Sequence, residues 1–159
     1  MLEQNHQLVR QEVTKTAVST RLETVTFAER VGLELNRAAR YHFFVSFVVF
    51  DFSVFGSESP CGNKNCDQMQ SLFAVNTRKV DEIAVLDTER VAILLPETSR
   101  QGAEIVSRRI SDLVLEQIMK SGGKVPDAMF HVEIASYPDA AGVRPIADYL
   151  KELTPREVN

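Results

Sequence analysis

The chain has 159 residues, of which 44% are hydrophobic and 25% are charged, as expected for a single globular domain that buries its own core. Its formal net charge is −4 and it contains no block of Lys and Arg, so the composition argues against the large basic surface that binds nucleic acid or acidic lipid. No apolar run approaches the roughly 20 residues that span a bilayer, and no signal-like apolar stretch opens the sequence. We therefore expect a cytoplasmic protein without direct membrane insertion.

The N-terminal part of the sequence has a helical pattern. Residues 2–40 contain no proline and place apolar side chains at roughly helical spacing, which predicts one long helix or two in series. Residues 1–21 are mostly polar, so we interpret them as a helical linker that forms a coiled coil with a partner helix, or alternatively as a frayed surface helix. The folded domain is then predicted to span residues 22–159.

The first strand is predicted from the β-branched and aromatic run 43–50, which is typical of a central strand covered on both faces and which ends at Asp51. Residues 53–65 are rich in Gly, Ser, Pro and Asn and predict a loop. A helix should follow and stop near Val80. Its predicted apolar face consists of Met69, Leu72, Phe73 and Val80.

The second half of the sequence predicts a β-hairpin followed by a long helix. Strands 83–86 and 91–95 flank a short turn at 87–89, and Pro96 ends the second strand. Ser99 can cap a helix that runs to about Lys120, with five residues predicted to face inward: Ala103, Val106, Ile110, Leu113 and Ile118. A strand at 130–137 and a short helix at 145–153 complete the order α-β-α-β-β-α-β-α, an antiparallel-rich α/β fold.

Several strings of residues follow the order and spacing of one known family. They are Phe27, LNRAARY (35–41), VVFDF (48–52), VAILLPET (91–98) followed by Gly102-Ala103, and IASYP (134–138). On these strings the chain resembles the GGDEF, or diguanylate cyclase, family over about residues 16–153. The resemblance implies a fold like the palm of the class III nucleotidyl cyclases, in which a central, mostly antiparallel sheet is flanked by helices. The family's signature motif then lies at the tip of the predicted hairpin.

The signature itself is degenerate in this sequence. In active family members two glycines let the GTP phosphates approach the turn, and an acidic residue then holds a divalent cation. Here the five signature positions are Asp87, Thr88, Glu89, Arg90 and Val91. Because side chains fill the approach path and Asp87 adds a carboxylate where phosphates would lie, we expect no cyclase activity and hence no enzyme.

The remaining positions that match catalytic residues of the family also indicate that cyclase activity is absent. Asp51 matches the family's first metal-binding Asp, and Glu89 matches the acidic third position of the signature. Two carboxylates hold Mg²⁺ weakly without nucleotide phosphates, so no bound metal or other cofactor is expected, although Asp51 and Glu89 stay residual candidates. The alternative is that both simply end their strands in solvent. The family's guanine-recognising Asn and Asp fall at Ser59 and Asn63.

A second family site is retained. Residues 78–81 match the RxxD motif of an inhibitory product site, and five residues separate Asp81 from the signature, as in the family. Arg109 matches the arginine on the following helix, and the neighbouring Arg108 could meet a phosphate. The guanidinium of Arg78 can donate to the O6 and N7 acceptors of guanine or stack on the base, and a carboxylate can accept from the guanine N1 and N2 donors.

These observations predict a cyclic-di-GMP receptor or regulatory domain. Its partner would be a second copy in a homodimer, or an upstream sensor or effector protein, that responds to the bound ligand. One alternative is a ligand-free dimerisation or interaction module, in which Arg78 and Asp81 form only a surface ion pair. The other is a residual diguanylate cyclase, against which Asp87 and Thr88 argue.

Overall fold

A computed structural model describes residues 26–60, 66–122, 130–138 and 144–153. The predicted linker, residues 1–21, lies outside these ranges, so the domain boundary at residue 22 stays a prediction. The elements are α1 (26–41), β1 (Val45–Asp51), a 3₁₀ helix (Ser53–Glu58), α2 (Cys66–Val75), β2 (Glu82–Val85), β3 (Arg90–Pro96), α3 (Arg100–Lys120), β4 (His131–Tyr137) and α4 (Ile146–Leu153). The predicted order is confirmed, and the 3₁₀ helix lies inside the predicted loop.

The four strands form one antiparallel sheet in the order β2-β3-β1-β4. Val45 pairs with Pro96 on one side and with Tyr137 on the other, whereas Asp51 pairs with Arg90 and His131. We call the first of these rows the Pro96 end of the sheet and the second row the hairpin end. Because β1 has seven residues, the two ends are separated by about 20 Å at about 3.3 Å per residue.

Helices cover both faces of the sheet, because successive side chains of the central strands point in opposite directions. On one face Phe47 packs against Phe27 of α1 and Tyr149 of α4, with ring centroids 5.9 and 5.3 Å apart. On the other face Phe50 meets the edge of Phe73 of α2 at 5.1 Å, within a cluster that also contains residues of α3. The predicted sheet flanked by helices is confirmed.

The long helix α3 follows the predicted cap. The hydroxyl of Ser99 accepts a hydrogen bond from the backbone N–H of Gly102, which satisfies one of the free donors at the helix start. Its buried residues are Ala103, Ser107, Ile110 and Val114. Leu113, which was predicted to face inward, is only half-buried, because the spacing of three and four residues continues from Ile110 to Val114.

Helix α2 ends five residues earlier than predicted. The side chains of Asn76 and Thr77 donate to the carbonyl oxygens of Leu72 and Phe73, at 2.7 and 2.9 Å, and so satisfy groups at the helix end. Val80 belongs to the following turn and is 60% exposed, so it is not part of the apolar face.

Strand β1 begins two residues later than predicted. The backbone N–H of Phe43 donates to the carbonyl of Ala38 at 3.1 Å, and His42 has a positive φ of 59°, which together end α1 in a left-handed cap. This cap holds Phe43 and Phe44 outside the sheet, where they are largely exposed. Within the described ranges, no helix combines the length and apolar character needed to cross a membrane.

Candidate functional site

The turn between α2 and β2 carries Arg78 and Asp81, the two ends of the predicted RxxD motif. The carboxylate of Asp81 accepts a hydrogen bond from the backbone N–H of Arg78 at 2.7 Å, and the backbone N–H of Asp81 donates to the carbonyl of Arg78 at 3.0 Å. The guanidinium of Arg78 also donates to Asp81, from Nε at 3.2 Å and from Nη2 at 2.8 Å. Two residues spaced i and i+3 thus close the turn through backbone and side chain together.

The two members of this pair differ in accessibility. The Asp81 side chain is 3% exposed, whereas that of Arg78 is 54% exposed. Both oxygens of Asp81 are engaged by Arg78, so the carboxylate serves as an internal anchor in this arrangement. The surface that a ligand would meet is the guanidinium of Arg78.

A second set of contacts fixes this guanidinium to the Pro96 end of the sheet. Its Nη2 donates to the carbonyl of Pro96 and to the hydroxyl of Thr98, each at 2.8 Å. Among the described residues, the hydrogen bonds of the guanidinium come from Nε and Nη2 and not from Nη1. One edge of the group is therefore held by the protein while much of its surface faces solvent.

Arg109 approaches the same turn from α3. Its Nη2 donates to the carbonyl of Asn76 at 2.7 Å, two residues before Arg78. Arg108, the preceding residue on the helix, is exposed. The structure thus brings Arg78, Asp81 and Arg109 around one turn, with Arg108 one residue from Arg109 along α3.

The hairpin tip, at the other end of the sheet, is closed by Asp87. One carboxylate oxygen accepts from the backbone N–H groups of Glu89 and Arg90, both at 2.8 Å, and the other accepts from Nε of Arg90 at 2.8 Å. The backbone N–H of Leu86 donates to the carbonyl of Arg90 at 2.9 Å. This is an Asx-type turn, in which a side chain takes the amide donors of the tip.

The loop after β1 packs against this tip. The hydroxyl of Ser59 donates to the carbonyl of Thr88 at 2.8 Å, and Ser59 is only 6% exposed. The backbone N–H of Phe52 donates to the carbonyl of Glu89 at 2.7 Å. Ser59 therefore holds the loop against the hairpin, and Asn63 lies outside the described residues.

Asp51 lies beside two basic side chains. It accepts from the backbone N–H of Ser53 at 2.8 Å and is paired in register with Arg90 and His131. Burial acts to raise the pKa of Asp51, but the hydrogen bonds from Ser53 and the charges of Arg90 and His131 outweigh it and leave the pKa below its ordinary value.

These neighbours fit the divalent cation of an active cyclase poorly. The guanidinium of Arg90 adds positive charge next to Asp51, which opposes the approach of a second cation. Glu89 is exposed. Within the described ranges, no three His, Cys, Asp or Glu side chains form a group able to hold a metal ion.

Two contacts of Arg78 were not predicted from the sequence. Thr98 and the carbonyl of Pro96 both hold Arg78, although they follow it by 20 and 18 residues. Their position at the end of β3 and just after it is a weak signal, because the antiparallel pairing of β2 with β3 brings the start of β2 beside the end of β3. A contact of this kind depends on strand register, which residue spacing alone does not give.

The antiparallel sheet with helices on both faces and a hairpin at one end is the fold of GGDEF diguanylate cyclase domains. The DGC protein of Thermotoga maritima superposes with a TM-score of 0.59 at 14% identity, over 82% of this chain and 90% of that one. The GGDEF domain of TpbB (YfiN) from Pseudomonas aeruginosa gives a TM-score of 0.55 at 19% identity, over 85% of this chain and 84% of that one.

A third solved structure is PelD from Pseudomonas aeruginosa PA14 in complex with c-di-GMP. It has a TM-score of 0.53 at 19% identity, over 82% of this chain and 44% of that one. No protein-family model and no curated protein matches the sequence. The likeness to solved structures therefore establishes the fold, which is shared by cyclases and by a protein solved with the dinucleotide bound.

Proposed function

We propose that this chain is a catalytically inactive GGDEF-fold domain that binds cyclic di-GMP through Arg78, Asp81 and Arg109, with Arg108 near a ligand phosphate. The observation that carries the proposal is that Arg109 of α3 donates to the carbonyl of Asn76, two residues before Arg78, in the turn that Arg78 and Asp81 close. Two guanidinium groups on one turn can serve both the guanine bases and the phosphates of a cyclic dinucleotide.

Recognition would rest on the arginines more than on the carboxylate. Arg78 is half exposed and fixed along one edge, so its plane can stack on a base while its outer nitrogen donates to guanine acceptors. Asp81 is nearly buried and acts by holding Arg78. Its use as an acceptor for guanine would first require Arg78 to swing away.

The hairpin supports the second half of the proposal, the loss of synthesis. In active family members two glycines let the nucleotide phosphates approach the turn, whereas here the carboxylate of Asp87 lies in the turn and occupies the N–H groups of Glu89 and Arg90. A phosphate would have to displace an anion that is bonded to the same donors and paired with Arg90.

A binding measurement tests the receptor role. Isothermal titration of the full chain with cyclic di-GMP should give heat. Arg78→Ala should weaken binding by roughly 5- to 150-fold, because removing a bidentate charged contact to guanine costs about 1–3 kcal/mol. Arg37→Ala is the matched control, since Arg37 lies on α1 at the opposite face of the sheet from α3.

Asp87→Gly should leave the affinity nearly unchanged, because Asp87 lies at the hairpin end about 20 Å from the proposed site. Absence of heat from the wild-type chain, or equal affinities in Arg78→Ala and wild type, would overturn the receptor role.

A separate assay tests the loss of synthesis. The purified chain with GTP and Mg²⁺ should form no cyclic di-GMP. Replacing Asp87 and Thr88 with Gly should not restore synthesis by itself, because Ser59 and the positive charge of Arg90 beside Asp51 are still in place. Product from the wild-type chain would overturn this half of the proposal while leaving the binding result to stand on its own.

The second candidate is a ligand-free interaction module. It is favoured by exposed aromatic side chains at the end of α1 and just before β1, where Tyr41 and Phe44 are 55% and 54% exposed. Arg40 lies 5.4 Å from the centre of the Tyr41 ring. A wild-type chain that gives no heat with cyclic di-GMP would favour this candidate.

A further inference from the structure

We propose that Thr98 is a positioning residue for the ligand site, which orients the guanidinium of Arg78 without touching the ligand. The inference rests on the proposed function and adds a residue outside the RxxD motif. Its direct basis is the hydrogen bond of 2.8 Å from Nη2 of Arg78 to the hydroxyl of Thr98.

The hydroxyl of Thr98 is itself oriented. It donates to the carbonyl of Pro96 at 2.9 Å, and that carbonyl also accepts from Nη2 of Arg78 at 2.8 Å. Nη2 has two hydrogens and also donates to Asp81, so Pro96 and Thr98 share one of them. The three groups form a closed triangle in which Thr98 both donates and accepts, so its hydroxyl proton has one defined direction. Arg78 therefore meets an acceptor pair of fixed geometry.

The backbone at Thr98 is tied to the core of the sheet. The buried hydroxyl of Ser46 on β1 donates to the carbonyl of Thr98 at 2.8 Å and lies 3.0 Å from the hydroxyl of Ser136 on β4. The residue between Pro96 and Thr98, Glu97, has a positive φ of 51°, a conformation that costs a non-glycine residue free energy. Strained backbone of this kind persists where its surroundings determine it.

Gly102 on α3 leaves the space that the Thr98 side chain needs. A Cβ atom at Gly102 would lie 3.0 Å from the methyl carbon of Thr98, closer than side chains normally approach. The absence of a side chain at this helix position therefore lets Thr98 keep the rotamer that directs its hydroxyl to Arg78. The hydrogen bonds around Thr98 and the space left by Gly102 therefore favour the same orientation of the Thr98 hydroxyl.

The chemical effect is preorganisation. An arginine side chain has many rotamers, and a ligand that stacks on it must fix them. Asp81 holds one edge of the guanidinium from within the turn, and Thr98 with Pro96 holds Nη2 from the sheet. Because the ordering is complete before the ligand arrives, less free energy of binding is lost in fixing the side chain.

The test compares Thr98→Val, which keeps the shape and removes the hydroxyl, with Thr98→Ser, which keeps the hydroxyl. Titration with cyclic di-GMP should show an affinity about 2- to 12-fold lower for Thr98→Val, the effect of freeing one rotamer-rich side chain. Thr98→Ser should bind within about 2-fold of wild type. A contact that served only stability would lower the thermal midpoint of Thr98→Val and leave its affinity intact.

A ligand-free measurement separates this inference from the proposed function. The ¹⁵N relaxation of the Arg78 Nε–H group should report a more mobile guanidinium in Thr98→Val than in wild type or Thr98→Ser. Equal mobility in all three chains, or equal affinity of Thr98→Val and wild type, would overturn the positioning role. If the wild-type chain binds no cyclic di-GMP, the receptor function fails, and the relaxation experiment alone decides whether Thr98 orders Arg78.

Discussion

At the scale of single residues, the turn at each end of the sheet is closed by an aspartate paired with an arginine three residues away. Asp81 and Asp87 each accept a backbone N–H three residues away in the turn, and each pairs with the arginine at that position, Arg78 or Arg90. At the Pro96 end this arrangement leaves an arginine presented to solvent. At the hairpin end it occupies the backbone N–H groups of Glu89 and Arg90.

The sequence predicted these pairs only in part. The spacing of Arg78 and Asp81 indicated either a ligand site or a surface ion pair, and both alternatives involve the same two side chains. The near-complete burial of the Asp81 carboxylate was not predictable, because it depends on how the turn packs against neighbouring elements. For the same reason, residue spacing alone did not predict the contact between Thr98 and Arg78.

His42 offers a test of backbone strain. It is the residue after α1 with a φ of 59°, in the cap closed by Phe43 and Ala38, a position where glycine is preferred. His42→Gly should stabilise the chain by about 0.5–1 kcal/mol, since the relief of left-handed strain exceeds the extra entropy of glycine in the unfolded chain. Urea unfolding measures this effect.

The control for this substitution is His42→Ala, which retains a Cβ atom and should show no comparable gain. A stabilisation of equal size in both variants would mean that loss of the imidazole, and not the backbone conformation, is responsible.

At the scale of elements, α4 is fixed to β4 through Tyr149. Its hydroxyl donates to the carboxylate of Glu133 at 2.5 Å, and the guanidinium of Arg144 lies 4.1 Å from its ring centre. Burial, followed by the hydrogen bond to Glu133, raises the pKa of Tyr149 to about 12. The neutral phenol is thus the form that the folded protein stabilises.

This shift predicts a pH dependence with a defined sign. The pKa of Tyr149 is higher in the folded chain than its ordinary value of 10.0. The stabilisation that the neutral Tyr149 side chain gives the folded state is therefore complete below pH 10 and is lost as the pH rises towards 12. Tyr149→Phe should lower the free energy of unfolding at neutral pH by about 1–2 kcal/mol through the lost hydrogen bond. It should also show a smaller loss of stability than wild type above pH 10.

Denaturant midpoints across this pH range provide the measurement, with Tyr41→Phe as the control, since Tyr41 is 55% exposed. Parallel pH profiles for wild type and Tyr149→Phe would contradict the assignment.

Element boundaries mark the limit of what residue patterns predict. The hairpin, α3 and its Ser99 cap were all predicted, since each depends on local signals. Helix α2 ends early because the Asn76 and Thr77 side chains donate to carbonyl oxygens of its last turn. The apolar spacing alone predicted that the helix continues to Val80. The late start of β1 depends on the cap at His42, because the aromatic run alone is equally compatible with a longer strand.

At the scale of the whole molecule, the predicted linker offers a test of the domain boundary. Residues 2–21 are mostly polar and have no wide apolar face, so we expect that a chain lacking them still folds, as a monomer, with a single cooperative thermal transition. Calorimetry and sedimentation of the shortened chain measure both properties. Loss of the transition would mean that the N-terminal segment belongs to the core and is not a linker.

The strand order has a consequence for how the chain reaches its native state. β1 lies between β3 and β4, and the pair formed by Ser46 and Ser136 joins residues 90 positions apart. Contacts of such long range close slowly, on the order of milliseconds to seconds for domains rich in them. Until residues 131–137 have been synthesised and docked, the apolar strand Val45–Asp51 has one open edge that can pair with other chains. We therefore expect the solubility of the chain during synthesis to depend on β4, which lies far along the chain from the strand whose edge it covers.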